Sequence, residues 1–435
     1  MSTVRQDHPI RDDLERRLAL IEEPASRHVF TKLYPEAARA AADAADARRK
    51  AGLTLGALDG AIVSIKDLFD VQGEATTAGS SIRRKAEAAL QDAPVVARLR
   101  RAGAVILAKT NMSEFAFSGL GLNPHWGNPG NAADPSLVPG GSSSGAGVSA
   151  ALGTSDIAIG TDTGGSVRIP AALNGVVGFK PTARRVPLAG AFPLSPSLDS
   201  IGPLARSVEA CAAADAVMAG EDYRPLKAAP LRDLRVGVPR GLLFTETDPM
   251  VAQAFEAALS TLSAAGARIG ETPFDDLLAR MAEATAAGPI AAVEAAEVHA
   301  DWLDAEEAAF DPRVHARISR GRTVTAAAYI RMMRARVDLI AAADERLAPL
   351  DVLALPATAI PAPSIASVAD DDAVFTRTNI LMLRNTMVGN LFDLTGISLP
   401  LPGQAKPVGL MLLARHGQDR RLLEIAAGVE AVLRG

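Results

Sequence analysis

The most constraining feature of this sequence is a serine- and glycine-rich stretch at residues 139–170. It contains two glycine–serine turns, GGSSSG at 140–145 and GTDTGGS at 160–166. A small-residue helix candidate at 146–153 and an apolar run at 156–159 lie between them. Glycine is typical of positions where a backbone turns sharply or approaches another atom closely. The two turns therefore predict a backbone cage around a reactive serine hydroxyl.

Composition excludes several classes of protein. The chain has 435 residues, 48% of them hydrophobic, and a net charge of −5, which predicts a globular protein and argues against nucleic-acid binding. The single cysteine, Cys211, cannot form an intramolecular disulfide and fits a reducing compartment. The N-terminal residues are polar, and no apolar run is long enough to span a bilayer. We therefore expect a cytoplasmic protein with neither nucleic-acid nor membrane partners.

Strand and helix candidates alternate along the chain. The pattern predicts an α/β fold, in which a central mixed β-sheet is covered by helices on both faces of a single large domain spanning 1–435. We expect a core at about 58–219, a more helical flank at about 220–378 and a C-terminal return to the sheet at 379–435. Within the flank, the sequence predicts a helix over 290–309.

A serine is a weak nucleophile unless a base lies within hydrogen-bond reach. Of the six histidines, only His125 lies near the cage in sequence, and its surroundings favour a packing role in a loop. Lysine can act as a base when burial lowers its pKa. Three lysines, Lys66, Lys109 and Lys180, each follow an apolar strand candidate. The residues alone do not choose among these three.

Several motifs resemble one known family. GTDTGGSVRIPAALNGVVGFKPT, together with VSIKDLFDVQGEATTAGS and RAGAVILAKTNMSEFAFSG, is similar to the signature of the amidase signature family. Members of this family are Ser–cisSer–Lys amide hydrolases. The likeness is dense over residues 58–219 and patchy after them. It implies the amidase signature fold for the whole chain.

The resemblance assigns roles to particular residues. It makes Ser166 the nucleophile, Ser142 a bridging serine that follows a cis peptide bond from Gly141, and Lys66 the base. It implies an acyl-enzyme mechanism that needs no metal and no organic cofactor. The backbone N–H groups of the second turn would form an oxyanion hole, built from Thr163, Gly164, Gly165 and Ser166.

The resemblance also suggests residues around the catalytic group. Phe117 and Phe192 are candidates for the walls of the substrate pocket, with a plain core role as the alternative. Arg168 could hold a substrate carboxylate, although a structural salt bridge is the simpler interpretation. Asp162 and Asp199 are expected to anchor the cage.

The function implied is hydrolysis of a small carboxylic amide, a small-molecule substrate, to an acid and ammonia. Small aryl or aliphatic primary amides are the expected class, and the resemblance allows a homodimer. The alternative is the glutaminase (A) subunit of a tRNA-dependent amidotransferase, which shares the same three residues. That role requires an aspartate near the C-terminus, where our alignment places Leu383, and residues 378–390 contain no aspartate.

Overall fold

A computed structural model describes residues 8–434, and its centre is one eleven-stranded mixed β-sheet. The strand order is β1-β3-β2-β4-β6-β5-β10-β11-β9-β7-β8. The strands are β1 Phe30–Leu33, β2 Ile62–Lys66, β3 Val105–Thr110, β4 Ile157–Asp162, β5 Val177–Lys180, β6 Ser200–Ala205, β7 Arg235–Val238, β8 Arg268–Glu271, β9 Val352–Pro356, β10 Thr395–Pro400 and β11 Gly409–Ala414.

Parallel and antiparallel pairings occupy different parts of this sheet. Strand β2 is parallel to both β3 and β4, and β7 is parallel to both β8 and β9. The pairings from β4 through β6, β5, β10 and β11 to β9 are all antiparallel, as is the edge pairing of β1 with β3. The predicted single α/β domain with a mixed sheet is confirmed.

Fifteen α-helices surround the sheet within residues 8–434. They are α1 Ile10–Ile21, α2 Pro35–Lys50, α3 Pro94–Arg101, α4 Ser144–Leu152, α5 Arg168–Asn174, α6 Val208–Ala219, α7 Pro249–Ala264, α8 Asp275–Ala284, α9 Ile290–Val298, α10 Pro312–Ser319, α11 Ala326–Leu347, α12 Ile365–Ala369, α13 Asp372–Arg384, α14 Met387–Leu391 and α15 Asp419–Arg434. None of the helices in this part of the chain is both long and apolar enough to cross a membrane.

Strand β2 shows why both faces of the sheet are covered. Successive side chains of a strand point to opposite faces. Val63 and Ile65 join the main hydrophobic core, whereas Ile62 packs with residues of α1 and α2. On the face of Ile62, Ser64 Oγ lies 3.4 Å from Ser149 Oγ of α4. Lys66 shares that face, since it is two residues beyond Ser64.

The pairing of β2 with β4 sets the position of the candidate site. Neighbouring parallel strands present their carboxyl ends at the same edge of the sheet. Lys66 is the last residue of β2, and Asp162 is the last residue of β4. Residues 163–166, the part of the second glycine–serine turn that lies beyond β4, follow directly. The fold therefore brings them beside Lys66 although about a hundred residues separate them.

One predicted element differs from the structure. The helix predicted over 290–309 ends at Val298, where α9 stops, and only a short 3-10 turn at Glu307–Ala309 follows. His299 caps the helix and is fully buried, and Trp302 Nε1 donates a hydrogen bond to His299 Nδ1 at 3.0 Å. His299 and Trp302 also pack against each other and against Phe192, and this tertiary packing outweighs the helix propensity of the alanines.

Candidate active site

Lys66 lies at the centre of the candidate site. Its Nζ donates hydrogen bonds to Ser142 Oγ at 2.8 Å and to Thr161 Oγ1 at 2.9 Å, and no part of the side chain reaches solvent. Burial lowers the pKa of Lys66 to about 7, and the negative charges of Asp199 and Asp162 only partly oppose this. A lysine in this state exchanges a proton near neutral pH.

Ser142 is held by backbone contacts with a neighbouring loop. The Gly141–Ser142 peptide bond is cis. Ser113 N donates to Ser142 O at 3.0 Å, and Gly141 N donates to Gly119 O at 2.8 Å. A Cβ at position 141 would lie 2.6 Å from Gly121 N, so only glycine fits there.

Ser166 lies in the turn between β4 and α5 and is only 4% exposed. Its carbonyl accepts a hydrogen bond from Ser143 N at 3.3 Å, and this bond joins the two glycine–serine turns. Within residues 8–434, no hydrogen bond joins Ser166 Oγ to Ser142 Oγ or to Lys66. The structure therefore brings Lys66 and Ser142 together, whereas Ser166 is joined to the first turn through its backbone and its hydroxyl contacts neither side chain.

Four backbone N–H groups of the second turn have no hydrogen-bond partner within residues 8–434. They belong to Thr163, Gly164, Gly165 and Ser166. Thr386 Oγ1 donates a hydrogen bond to Gly164 O at 2.7 Å and so fixes the turn to the C-terminal part of the chain. Gly165 has φ of +136°, and a Cβ there would lie 2.0 Å from Thr386 Oγ1. Unpaired amides on a fixed turn are the arrangement that stabilises an oxyanion.

Asp162 and Arg168 form a buried ion pair beneath this turn. Arg168 donates to the carboxylate through Nη2 at 2.8 Å and Nε at 3.0 Å, and both side chains are fully shielded. Asn390 donates to Asp162 O at 3.0 Å. Burial opposes ionisation of Asp162, but Arg168 outweighs it and lowers the pKa to about 2. The structure therefore places Arg168 in the structural salt bridge, with no exposed surface.

Asp199 holds the other side of the turn. Its carboxylate accepts hydrogen bonds from Thr163 Oγ1 and from the backbone N–H groups of Leu194 and Ser195, the last two at 3.0 Å. Burial raises the pKa of Asp199 to about 6, although these hydrogen bonds and Lys66 favour its charged form. Both predicted anchors, Asp162 and Asp199, thus contact the cage directly.

The two competing lysines lie elsewhere. Lys109 Nζ is 3.3 Å from Asp67 Oδ1, and Lys180 Nζ donates to Pro181 O at 2.9 Å. Burial, with a contribution from Arg168, lowers the pKa of Lys180 to about 8, but no serine hydroxyl within residues 8–434 contacts it. Among the three lysines left open by the sequence, only Lys66 meets a serine.

His125 has the packing role expected of it. His125 Nε2 lies 2.8 Å from Glu114 Oε1, in the loop that surrounds the cage. No set of three or more His, Cys, Asp or Glu side chains within residues 8–434 is grouped as in a metal site.

The two candidate pocket residues belong to the loops that hold the site. Phe117 follows Phe115 and Ala116, whose φ values of 48° and 60° are strained for residues with a Cβ. Phe192 N donates to Leu68 O at 2.8 Å, two residues after Lys66. Both phenylalanines also pack against the hydrophobic core, so the pocket and core interpretations are compatible.

Several contacts of the site could not be found from the sequence. Thr161 contacts Lys66, and its position in the GTDTGGS motif is the one sequence signal that could have indicated this contact. Thr386 and Asn390 come from the C-terminal part of the chain and reach the turn through long-range packing. No local pattern marks either of them.

Comparison with known proteins identifies the family. The family model described as Amidase matches residues 14–423. The chain is 38% identical over 408 residues to 2-amino-5-chloromuconic acid deaminase from Comamonas testosteroni, covering 91% of this chain and 86% of the relative. It is 33% identical to the glutamyl-tRNA(Gln) amidotransferase (A) subunit of Koribacter versatilis (strain Ellin345), covering 93% and 91%.

The fold agrees with that comparison. A solved crystal structure of an amidase superposes with a TM-score of 0.85 at 34% identity, covering 98% of this chain and 96% of the other. Because a family model, relatives matched over most of their length and a solved structure all agree, the chain belongs to the amidase signature family and is a hydrolase of C–N bonds in amides other than peptides.

Proposed function

We propose that this protein hydrolyses a small carboxylic amide to the acid and ammonia through an acyl-enzyme on Ser166. The observation that carries the proposal is the 2.8 Å hydrogen bond between Lys66 Nζ and Ser142 Oγ in a fully buried site. A pKa of about 7 for Lys66 makes the unprotonated amine available at neutral pH.

The first half-reaction transfers the acyl group. Ser166 Oγ attacks the amide carbonyl carbon, its proton passes to Ser142 Oγ, and the proton of Ser142 passes to Lys66 Nζ. The carbonyl π electrons move to oxygen. When the tetrahedral intermediate collapses, the proton returns through Ser142 to the amide nitrogen, and ammonia leaves with the electrons of the C–N bond.

The second turn stabilises the negative oxygen formed in this step. The unpaired N–H groups of 163–166 provide fixed donors, and Thr386 and Asp199 hold the turn so that little reorganisation is needed. Loss of one such donor typically lowers kcat by about 10²–10³.

The second half-reaction uses the same groups in reverse. Water attacks the ester carbon of the acyl-enzyme, and Lys66 accepts its proton through Ser142. Collapse of the second intermediate returns the proton to Ser166 Oγ and releases the acid. No other reactant is required.

The test is ammonia release by the purified chain and two serine variants. Ser166→Ala should abolish turnover of a panel of primary amides, because the nucleophile is lost. Ser144→Ala is a matched control, since Ser144 lies in the same turn as Ser142 but donates to Asn111 O at 3.3 Å instead of contacting Lys66. Turnover by Ser166→Ala at the wild-type rate would overturn the proposal.

A second candidate function is the glutaminase subunit of an amidotransferase, which the Koribacter relative favours. The position where the family resemblance requires an aspartate is occupied by Leu383. The Leu383 side chain packs close to Gly119 and Gly164. A Cβ added to these glycines would lie 3.2 Å and 3.5 Å from it, respectively. An apolar side chain there offers nothing to the amino group of glutamine.

Glutamine in the amide panel separates the two candidates. Turnover of small amides by the chain alone, with glutamine inert, supports a free-standing amidase. Ammonia release confined to glutamine, or dependent on the other components of an amidotransferase, supports the glutaminase.

A further inference from the structure

Each of the two candidate pocket phenylalanines carries an arginine on its ring. The guanidinium carbon of Arg317 lies 4.7 Å from the Phe117 ring centroid, and that of Arg83 lies 4.6 Å from the Phe192 centroid. Neither arginine forms a salt bridge in residues 8–434, and the carboxylates that favour their charged forms, Asp311 for Arg317 and Asp70 for Arg83, act without direct contact. Partly buried arginines are usually paired with an acid, so two unpaired ones beside one site need an explanation.

Arg317 is the more enclosed of the two. It lies on α10, and its only hydrogen bond within residues 8–434 runs from Nη1 to Phe117 O at 2.7 Å. Burial, reinforced by Arg320, lowers the pKa of Arg317 to about 10, with Asp311 opposing. Four of the five N–H donors of this guanidinium therefore have no protein acceptor.

Arg83 shares its surroundings with a second unsatisfied donor. Arg83 Nε donates to Thr76 O at 2.8 Å and makes no other hydrogen bond in the described chain. His299 is fully buried against Phe192, with ring centroids 5.7 Å apart. Trp302 donates to His299 Nδ1, so the neutral imidazole carries its proton on Nε2. That Nε2 has no partner among the described residues.

The buried carboxylate on the same loop is not free to neutralise these donors. Glu114 Oε1 accepts from Ser80 Oγ at 2.6 Å and lies 2.8 Å from His125 Nε2. Its Oε2 accepts from Asp311 N at 2.7 Å. Both oxygens are thus occupied.

Backbone contacts join the loops of the two phenylalanines to the proposed catalytic residues. Phe117 lies in the 113–119 loop, whose two ends bond to Ser142 and to Gly141. Phe192 bonds to Leu68, in the turn that follows Lys66. Each guanidinium therefore lies on the ring of a phenylalanine whose loop contacts the proposed catalytic residues or the turn after them.

We propose that this pocket selects amides that carry a carboxylate, and that the guanidinium groups of Arg317 and Arg83 bind it. The proposal deepens the proposed amidase function and rests on it. Arginine suits the task because its planar fork of donors matches a carboxylate. The phenylalanine rings keep each guanidinium in place without neutralising its charge. A bound carboxylate would supply the missing acceptor.

The first experiment compares matched amides. Monoamides of C4 to C6 dicarboxylic acids, such as succinamate, are assayed beside their neutral methyl esters. The acid should have the higher kcat/KM by about 10- to 100-fold, because a hydrogen bond to a charged partner is lost in the ester. Equal turnover of acids and esters would overturn the proposal.

The second experiment changes the arginines. Arg317→Met and Arg83→Met should each lower kcat/KM for the acid relative to that for its methyl ester by about 10- to 100-fold. Arg313→Met is the matched control: Arg313 is on the same helix and lies 4.3 Å from the Phe375 centroid, but it is paired with Asp372 at 2.7 Å. An unchanged preference for acids in both test variants would contradict the assignment.

A binding measurement separates failure of this inference from failure of the proposed function. Succinate, glutarate and adipate should raise the Tm of the Ser166→Ala protein, and Arg317→Met should remove the shift. Labelling of Ser166 by a sulfonyl fluoride reports the catalytic group independently of carboxylate binding. Labelling without any dicarboxylate binding overturns the inference alone, whereas dicarboxylate binding without labelling overturns only the mechanism.

Discussion

Lys66 Nζ donates a hydrogen bond to Ser142 Oγ at 2.8 Å, in a position where neither side chain has any exposed surface. The lysine reaches this position because β2 ends at residue 66, directly beside the strand that leads into the second serine turn. Burial without a direct carboxylate contact lowers the pKa of this amine to about 7.

We predict that amide turnover depends on an unprotonated Lys66. Because the pKa of Lys66 is lowered from 10.5 to about 7, the amine is protonated and inactive below that pH. The value of kcat/KM should rise as pH increases through about 7 and level off above it. An acidic limb near pH 10, or a flat profile between pH 5 and 9, would contradict this assignment.

Lys180 is the control for the pH profile. Its pKa is also lowered by burial, to about 8, but its Nζ contacts the carbonyl of Pro181. In folded Lys180→Met protein, the acidic limb of the kcat/KM profile should stay near pH 7. If the acidic limb moved in this variant, the titration would belong to Lys180 and the assignment to Lys66 would be wrong.

We predict that Gly165→Ala disables the enzyme. The new Cβ would meet Thr386 Oγ1 at 2.0 Å, and φ of +136° is unfavourable for alanine, so the turn must move. Displacement of one oxyanion donor should lower kcat about 10²–10³. Gly52→Ala is the control, since Gly52 has φ of +70° with no atom within 4 Å of the added Cβ.

Steady-state kinetics of the two glycine variants check this prediction. Gly52→Ala should lose some stability, about 1 kcal/mol, but keep its kcat. Wild-type kcat in Gly165→Ala would show that the turn does not supply the donors.

We predict a large loss of stability when Arg168 is removed. Arg168→Met leaves Asp162 charged and unpaired in a fully buried position, which typically costs about 3–5 kcal/mol of unfolding free energy. Urea denaturation followed by circular dichroism measures the change. Arg235→Met, which breaks a half-exposed pair with Asp351, should have little effect by comparison. Equal losses in the two variants would contradict the role of burial.

The candidate catalytic residues could be named from the sequence because each lies in a short contiguous motif, and their roles stay a prediction. Lys66 ends β2 and Ser166 follows β4, so both lie at the edge where the carboxyl ends of this parallel pair meet, whereas Ser142 lies in the loop before α4. The family resemblance then selected Lys66 from three lysines that local sequence could not distinguish.

Other parts could not be predicted, for identifiable reasons. The central strand β6 contains Pro203, which lacks a backbone donor, and proline argues against a central strand in any sequence-based assignment. The contacts of Arg317, His299 and Thr386 join segments far apart in the chain. Which arginine lacks an acid partner is a property of the packed structure and leaves no mark on the sequence.

The most direct test of the proposed mechanism is covalent labelling, which needs no knowledge of the substrate. The wild-type protein is treated with a fluorophosphonate or sulfonyl fluoride, digested and mapped by mass spectrometry. The mechanism predicts one major adduct on the peptide containing Ser166, absent in Ser166→Ala and formed far more slowly in Lys66→Met. An adduct on another serine, or equal labelling rates with and without Lys66, would contradict it.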